Sequence, residues 1–174
     1  MEFELAQLSR QLHNLIRPGT IAEVDCDAAR VRVTSGDLRT GWLPWLTTRA
    51  GNDRSWWAPE VGEQVLLLCP AGNPAQGYAL PAIYQTAHPA NGNSPDLHRT
   101  TYSDGAIIEY HRGDHHLAVT LPAGGTLTLS AQGGIHIEGD ITVEGDVIAD
   151  GISLKHHTHG GVIAGGATTS EPVT

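Results

Sequence analysis

The sequence is poor in aromatic residues, in positive charge and in long apolar runs. Only 5% of its 174 residues are aromatic, and 10 Lys and Arg stand against 19 Asp and Glu. The resulting net charge of −9 disfavours binding to a polyanion such as duplex DNA or an anionic membrane. No apolar run approaches the roughly 18 residues that a spanning helix needs. The N-terminus carries Glu2 and Glu4 and no apolar stretch typical of a secretory signal, so we expect synthesis in the cytoplasm.

Cysteine is also scarce. The two cysteines, Cys26 and Cys69, are too few for a disulfide framework. Each lies beside an apolar, strand-like stretch, which predicts a reduced and buried thiol. The hydrophobic content of 40% argues against a disordered chain.

The first 18 residues are predicted to form a short helix. Four leucines at spacings of three, four and three make a narrow apolar stripe, and Pro18-Gly19 is the predicted stop. The stripe favours equally a helix packed on its own domain and a helix that meets copies of itself or a partner. The four residues are Leu5, Leu8, Leu12 and Leu15.

Residues 19–86 have the pattern of a small all-β domain. Arg30–Thr34 alternates with period two, and Gln64–Leu68 is an apolar run between turn signals. About five short strands in this length fit an OB-like barrel. The predicted strands are Thr20–Val24, Arg30–Thr34, Leu38–Trp45, Gln64–Cys69 and Tyr78–Tyr84.

The four tryptophans cluster between Trp42 and Trp57. In an OB barrel such a cluster can stack the bases of single-stranded nucleic acid, provided that the groove is basic. The acidic net charge makes core or subunit-contact tryptophans the favoured interpretation.

A repeat follows a linker-like stretch at 87–98. Within 99–152, Ile135–Asp140 and Ile141–Asp146 are six-residue units and Val147–Gly151 is a shorter third. Short strands joined by Gly-Asp corners are typical of a β-helix. Because each strand is only one or two side chains deep, one chain cannot bury both faces. The pattern therefore predicts several identical chains wound together. Their acidic rows, which include Glu138, Glu144 and Asp150, are expected to face solvent.

The last segment, 153–174, contains a candidate metal site. His157 and His159 are two residues apart, so in an extended strand both imidazoles face one side while His156 faces away. Three parallel chains meeting at an axis would supply six imidazoles, and such an octahedral site favours Fe or Ni over Zn²⁺. The alternative is a solvated polar tail or an accidental, tag-like cluster of histidines.

The sequence contains no Gly-x-Ser-x-Gly, His-Glu-x-x-His or phosphate-loop motif. His115 and His116 follow Asp114 and allow a metal-dependent hydrolase, but loop histidines at the surface are the favoured interpretation. We therefore expect no catalytic residues and no enzyme.

Several motifs in a fixed order resemble those of one family. The chain is similar to the baseplate assembly protein V family, which forms the central spike of contractile phage tails and R-type pyocins. The motifs are Gly19–Asp25, Arg30–Val33, Trp42–Trp45, Pro59–Val65, Ser103–Tyr110, the six-residue units and His157–Gly161.

The resemblance implies an all-β fold: an N-terminal OB-fold barrel followed by an intertwined trimeric β-helix spike with a metal-bound tip. It implies a homotrimer that contacts baseplate hub and tail tube proteins at the tail baseplate tip of a virion or pyocin particle. One iron ion per trimer would be octahedral, held by His157 and His159 of each chain. On sheath contraction the spike would pierce the outer membrane of the target cell, without enzyme activity or nucleic-acid binding. The segment 164–174 is either disordered or a strand that folds back around the tip.

A second function stays open beside this one. The alternative is an OB-fold nucleic-acid or ligand-binding module with a β-solenoid appendage. It predicts a basic groove and strong salt dependence of binding.

Overall fold

The computed structural model describes residues 1–159, 161 and 165. The chain divides into two compact units, Met1–Thr126 and Leu127–Thr174. The tail predicted over 164–174 lies outside the described residues except for Gly165. The elements are α1 (Glu2–Asn14), β1 (Ile16–Asp25), β2 (Arg30–Ser35), β3 (Leu38–Arg39), β4 (Gln64–Leu68), β5 (Tyr78–Ile83), β6 (Leu97–Thr101), β7 (Ile107–His111), β8 (His116–Thr120), β9 (Ile148–Ala149) and β10 (Ile152–Ser153), with short 3₁₀ turns at Pro70–Gly72 and Pro74–Gln76.

The first five strands form one antiparallel sheet in the order β3-β2-β1-β4-β5. The segment 43–46 joins the two sides of this sheet. Leu43 pairs with Val31 of β2, and Trp45 pairs with Ala79 of β5. This closure turns the sheet into a small barrel and leaves few strand edges exposed.

The core of the barrel follows directly from alternation along its strands. Val31 and Val33 of β2 and Val65 and Leu67 of β4 are fully buried, whereas their neighbours in sequence face outward. Burial of each such side chain contributes about 1.5 to 3 kcal/mol of transfer free energy. The barrel therefore completes its own hydrophobic core with residues of one chain.

The helix ends at Asn14, earlier than the stop predicted at Pro18-Gly19. Pro18 and Gly19 lie inside β1 instead. At Pro18, β1 pairs with β4, and pairing with β2 begins only at Thr20. A proline is tolerated where its nitrogen faces no neighbouring strand. A Cβ on Gly19 would lie 2.5 Å from Cγ1 of Val33, so glycine permits the close approach of β1 and β2. The predicted end of the helix is corrected accordingly.

The N-terminal helix touches its own domain but leaves its leucine stripe exposed. A Cβ on Gly72 would overlap the carbonyl oxygen of Gln11, so α1 lies close to the turn at Pro70–Gly72. Leu5, Leu8 and Leu12 are more than half exposed. Within the described residues, no helix has the length and apolarity needed to cross a membrane.

Downstream of the barrel, β6, β7 and β8 form a three-stranded antiparallel sheet. Its first strand begins at Leu97, inside the stretch predicted as a linker. Residues 121–147 belong to no strand, although every one of them is described. The next pairing is the small hairpin of β9 and β10.

The two cysteines differ in environment. Cys69 is buried, as predicted, and desolvation raises the pKa of its thiol, while the charge of Arg17 partly opposes the shift. Cys26 is exposed, so its predicted burial is wrong. The reason is its position in the turn that connects β1 to β2, just after the last paired residue, Asp25.

Candidate functional site: the repeat segment and the histidine pair

The repeat segment carries a regular row of exposed aliphatic side chains. Their exposed fractions lie between 42% and 65%. Regularly placed, exposed apolar side chains are typical of a surface that another protein covers. The row consists of Ile135, Ile137, Ile141, Val143 and Val147.

Glycines mark the same period in the backbone. Gly139 and Gly145 have φ angles of 121° and 136°, a region that residues with a Cβ rarely adopt. They lie six residues apart, next to Asp140 and Asp146. The backbone therefore changes direction once per unit, at the predicted Gly-Asp corners.

The third unit differs from the first two. Ile148 and Ala149 pair with Ser153 and Ile152, and Asp150 and Gly151 have φ angles of 50° and 82°. Two consecutive positive φ angles are those of a type I′ turn, for which Asp-Gly is a preferred sequence. Sequence reasoning treated Val147–Gly151 as another unit of the repeat and missed this hairpin, although the Asp-Gly dipeptide was its signal.

The hairpin leads into the two histidines singled out by the sequence. The rings of His157 and His159 lie with their centroids 5.0 Å apart at an interplanar angle of 80°. Nδ1 of His157 lies 3.0 Å from the carbonyl oxygens of both Ser153 and Leu154. A carbonyl oxygen can only accept, so Nδ1 carries a proton, and in the neutral imidazole Nε2 is then the nitrogen with the lone pair. Metal-binding histidines commonly have this arrangement.

These residues fit a metal that accepts imidazole nitrogen. Iron, nickel and zinc all do so. Among the described residues, no group of three or more His, Cys, Asp or Glu is placed to hold an ion. Within the described residues, the pair alone therefore supplies two ligands, which is fewer than a complete coordination sphere.

The remaining histidine candidates are dispersed. The backbone N–H of His156 donates to Oγ of Ser153 at 2.8 Å, and its side chain is exposed. His115 and His116 are exposed at the turn between β7 and β8. Nδ1 of His111 lies 2.8 Å from a carboxylate oxygen of Asp114, and this pair gathers no third ligand among the described residues. The arrangement favours surface histidines over a hydrolase site.

The tryptophans make contacts within the chain. Trp57 stacks on Tyr102 with ring centroids 5.8 Å apart, and Trp45 and Trp56 form a T-shaped pair with ring centroids 5.5 Å apart. The guanidinium of Arg32 lies 4.6 Å from the ring centroid of Trp42. Each ring therefore has one packing partner within the chain, but Trp56 and Trp57 stay 64% and 65% exposed and are not core residues of this chain.

The groove beside Trp57 is not basic. This open groove of about 980 Å³ is lined by Glu60 and Glu63 as well as by Arg99. Nε of Arg99 lies 2.6 Å from a carboxylate oxygen of Glu109, which neutralises its charge. The groove lacks the net positive charge that single-stranded nucleic acid requires.

Two family models match the chain. Residues 17–84 match the Type VI secretion system/phage-baseplate injector OB domain, and residues 151–173 match the GpV Apex motif. The Spike protein of Escherichia phage P2 is 42% identical over 131 residues, which cover 75% of this chain and 61% of that protein. The chain belongs to the phage baseplate spike family.

Membership of the spike family confirms the resemblance carried by the sequence motifs, and it confirms the OB domain. The matched residues 17–84 contain nearly all of β1 to β5. The aligned part of the chain spans about 61% of the length of the curated relative. His157 and His159 lie within the segment that matches the Apex motif. Their role as metal ligands remains a prediction.

Proposed function

We propose that this chain is the structural central spike of a contractile phage tail or R-type pyocin baseplate. It works mechanically rather than as an enzyme, and sheath contraction drives it through the outer membrane of the target cell. Family membership supports a spike role, and the repeat segment supports the physical form of that spike.

The exposed aliphatic row is the observation that carries the proposal. Side chains such as Ile137, Ile141 and Val143 are spaced as core residues are, yet each is about half exposed in one chain. Three chains wound around one axis would bury these rows against each other and pair strands that a single chain leaves unpaired. The homotrimeric β-helix is therefore the form in which this segment has a core.

The histidine pair serves the tip of that trimer. His157 and His159 of three chains would supply six imidazoles to hold one octahedral iron ion. Such an ion would add a cross-link between three chain ends that would otherwise fray. The residues contribute by occupying Nδ1 of His157 with backbone carbonyls, which leaves Nε2 as the ring nitrogen available to a metal, and by presenting both rings on the same short segment.

The barrel is the part that attaches to the particle. We infer that three OB domains contact the baseplate hub and the tail tube, at the tail baseplate tip of a virion or pyocin. The acidic net charge of −9 per chain opposes adhesion to anionic lipid during passage through the membrane. Contact with the outer membrane is transient, and nucleic acid is not a partner.

A charge placed in the aliphatic row tests this function. In a trimer, Val143→Asp puts three carboxylates side by side in an apolar interior, and burial of unpaired charge strongly opposes assembly. We expect sedimentation to show trimers for the wild type and dissociated chains for Val143→Asp. Thr142→Asp changes the neighbouring polar position and is expected to leave the trimer intact. If both variants sediment as trimers, or both as dissociated chains, the proposal is contradicted.

A further inference from the structure

The hairpin before the histidine pair is closed at its open end by a further hydrogen bond to Val147, the first residue of the third unit. The backbone N–H of Leu154 donates to the carbonyl oxygen of Val147 at 2.8 Å, beyond the last paired residues of β9 and β10. The tight Asp150-Gly151 turn fixes how the second strand returns. The chain therefore leaves the hairpin in a direction set by residues 146–154.

One carboxylate closes this hairpin. Oγ of Ser153 donates to Oδ2 of Asp146 at 2.5 Å, and the backbone N–H of Lys155 donates to Oδ1 at 3.0 Å. Both oxygens of Asp146 thus accept hydrogen bonds from residues that follow the hairpin turn. These hydrogen bonds, with that of the Ser153 hydroxyl first, hold the pKa of Asp146 below its usual range. The carboxylate stays ionised at neutral pH.

The same serine connects this carboxylate to the histidines. Oγ of Ser153 also accepts from the backbone N–H of His156 at 2.8 Å. The carbonyl oxygen of Ser153 accepts from the backbone N–H of His157 at 3.1 Å and lies 3.0 Å from Nδ1 of the same residue. Asp146 therefore fixes the side chain of Ser153, and the backbone carbonyl of the same residue contacts the ring of His157.

We propose that Asp146 and Ser153 are positioning residues for the metal site: they hold the His157 ring with Nδ1 donating to the hairpin and Nε2 presented to the ion. The inference rests on the proposed function of the histidine pair. Neither residue touches the metal. Outer partners of this kind fix the tautomer and the direction of a ligand ring, and their loss costs roughly 10- to 100-fold in metal affinity.

The repeat provides a matched control for Asp146. Asp140 occupies the same place in the preceding unit, after Gly139, as Asp146 does after Gly145. It is exposed, and the residues that follow it belong to no strand. A variant at Asp140 removes the same charge from the same kind of corner without touching the hairpin.

The test compares four variants of the full chain loaded with Fe²⁺. The variants are Asp146→Ala, Ser153→Ala, Ser153→Thr and Asp140→Ala. The readouts are subunit number by native mass spectrometry and the rate at which a coloured chelator removes iron. We expect Asp146→Ala and Ser153→Ala to remain trimers that release iron at least about tenfold faster. Ser153→Thr keeps the hydroxyl and should restore slow release, and Asp140→Ala should match the wild type. Unchanged release from Asp146→Ala and Ser153→Ala, or equally fast release from Asp140→Ala, would overturn the proposal.

A measurement without metal separates this inference from the proposed function. The ¹⁵N shifts of the His157 ring report which nitrogen carries the proton. We expect the Nδ1–H form in the metal-free wild type and in Asp140→Ala, and a mixture of tautomers in Ser153→Ala and Asp146→Ala. If the wild type binds no iron but this pattern holds, the metal role fails and the positioning of the ring stands. If every variant shows the same tautomers, the positioning role is wrong.

Discussion

The barrel and the repeat segment use the same alternation of aliphatic and polar residues with opposite results. In β2 and β4, Val33 and Leu67 are fully buried, because the closed sheet of one chain surrounds them. In the repeat, Ile141 is 65% exposed although its spacing is just as regular. The difference teaches that periodicity marks the side chains suited to a core. It does not show what covers them, and under the proposed function further copies of the chain do so.

The largest expected effect is a loss of barrel stability that a matching change in the repeat segment does not cause. Leu67→Ala removes a fully buried side chain and should lower the free energy of unfolding of the barrel by roughly 2 to 5 kcal/mol. Ile141→Ala should leave that transition unchanged and lower the stability of the trimer instead. Because all four tryptophans lie in the barrel segment, their fluorescence during denaturant titration reports the barrel and the Trp57–Tyr102 contact, and not the repeat segment. A loss of barrel stability in Ile141→Ala as large as that in Leu67→Ala would break the comparison.

A smaller effect is expected where two barrel strands approach closely. Gly19→Ala places a methyl group 2.5 Å from Cγ1 of Val33 and 2.9 Å from the carbonyl oxygen of Thr34. Because strand backbone must shift to relieve the overlap, we expect a loss of about 1 to 3 kcal/mol in thermal unfolding. Gly41→Ala is the control, since no atom lies within 4 Å of its added Cβ. Equal melting temperatures for the two variants would contradict this packing.

The smallest effect concerns access to the thiols. Cys26 is exposed and Cys69 is buried, so a thiol reagent at pH 8 should label one cysteine per native chain and both after denaturation. Burial raises the pKa of Cys69, so the folded barrel favours its protonated form. The corresponding stability is fully present below the ordinary thiol pKa and is lost as pH rises through the raised value. Cys26→Ser should leave a native chain that is labelled only slowly, and fast labelling of this variant would show an open barrel.

Local sequence patterns predicted much of the fold. Arg30–Thr34 and Gln64–Cys69 were predicted as strands, and the structure has β2 at Arg30–Ser35 and β4 at Gln64–Leu68. In both strands the period-two pattern coincides with burial inside a single chain. The order of motifs along the chain was sufficient to identify the family.

The errors arose where tertiary contacts override local signals. Pro18-Gly19 is a strong turn signal, but at this position β1 needs no N–H from proline and no Cβ on glycine. Leu97 begins a strand that only its pairing with His111 reveals. Asp150-Gly151 fits both the repeat and a hairpin turn. The repeat was the more conspicuous pattern, so the hairpin was not predicted. The Asp146–Ser153 hydrogen bond depends on that hairpin and was invisible without it.

The central claim is that the repeat segment has a core only when three chains share it. Native mass spectrometry of the purified chain, with the bound metal identified in the same sample, tests this claim most directly. The account predicts three chains of 18.5 kDa carrying one iron ion, with the iron lost in His157→Ala and in His159→Ala. A metal-free monomer would contradict it and would favour the OB-fold binding module instead.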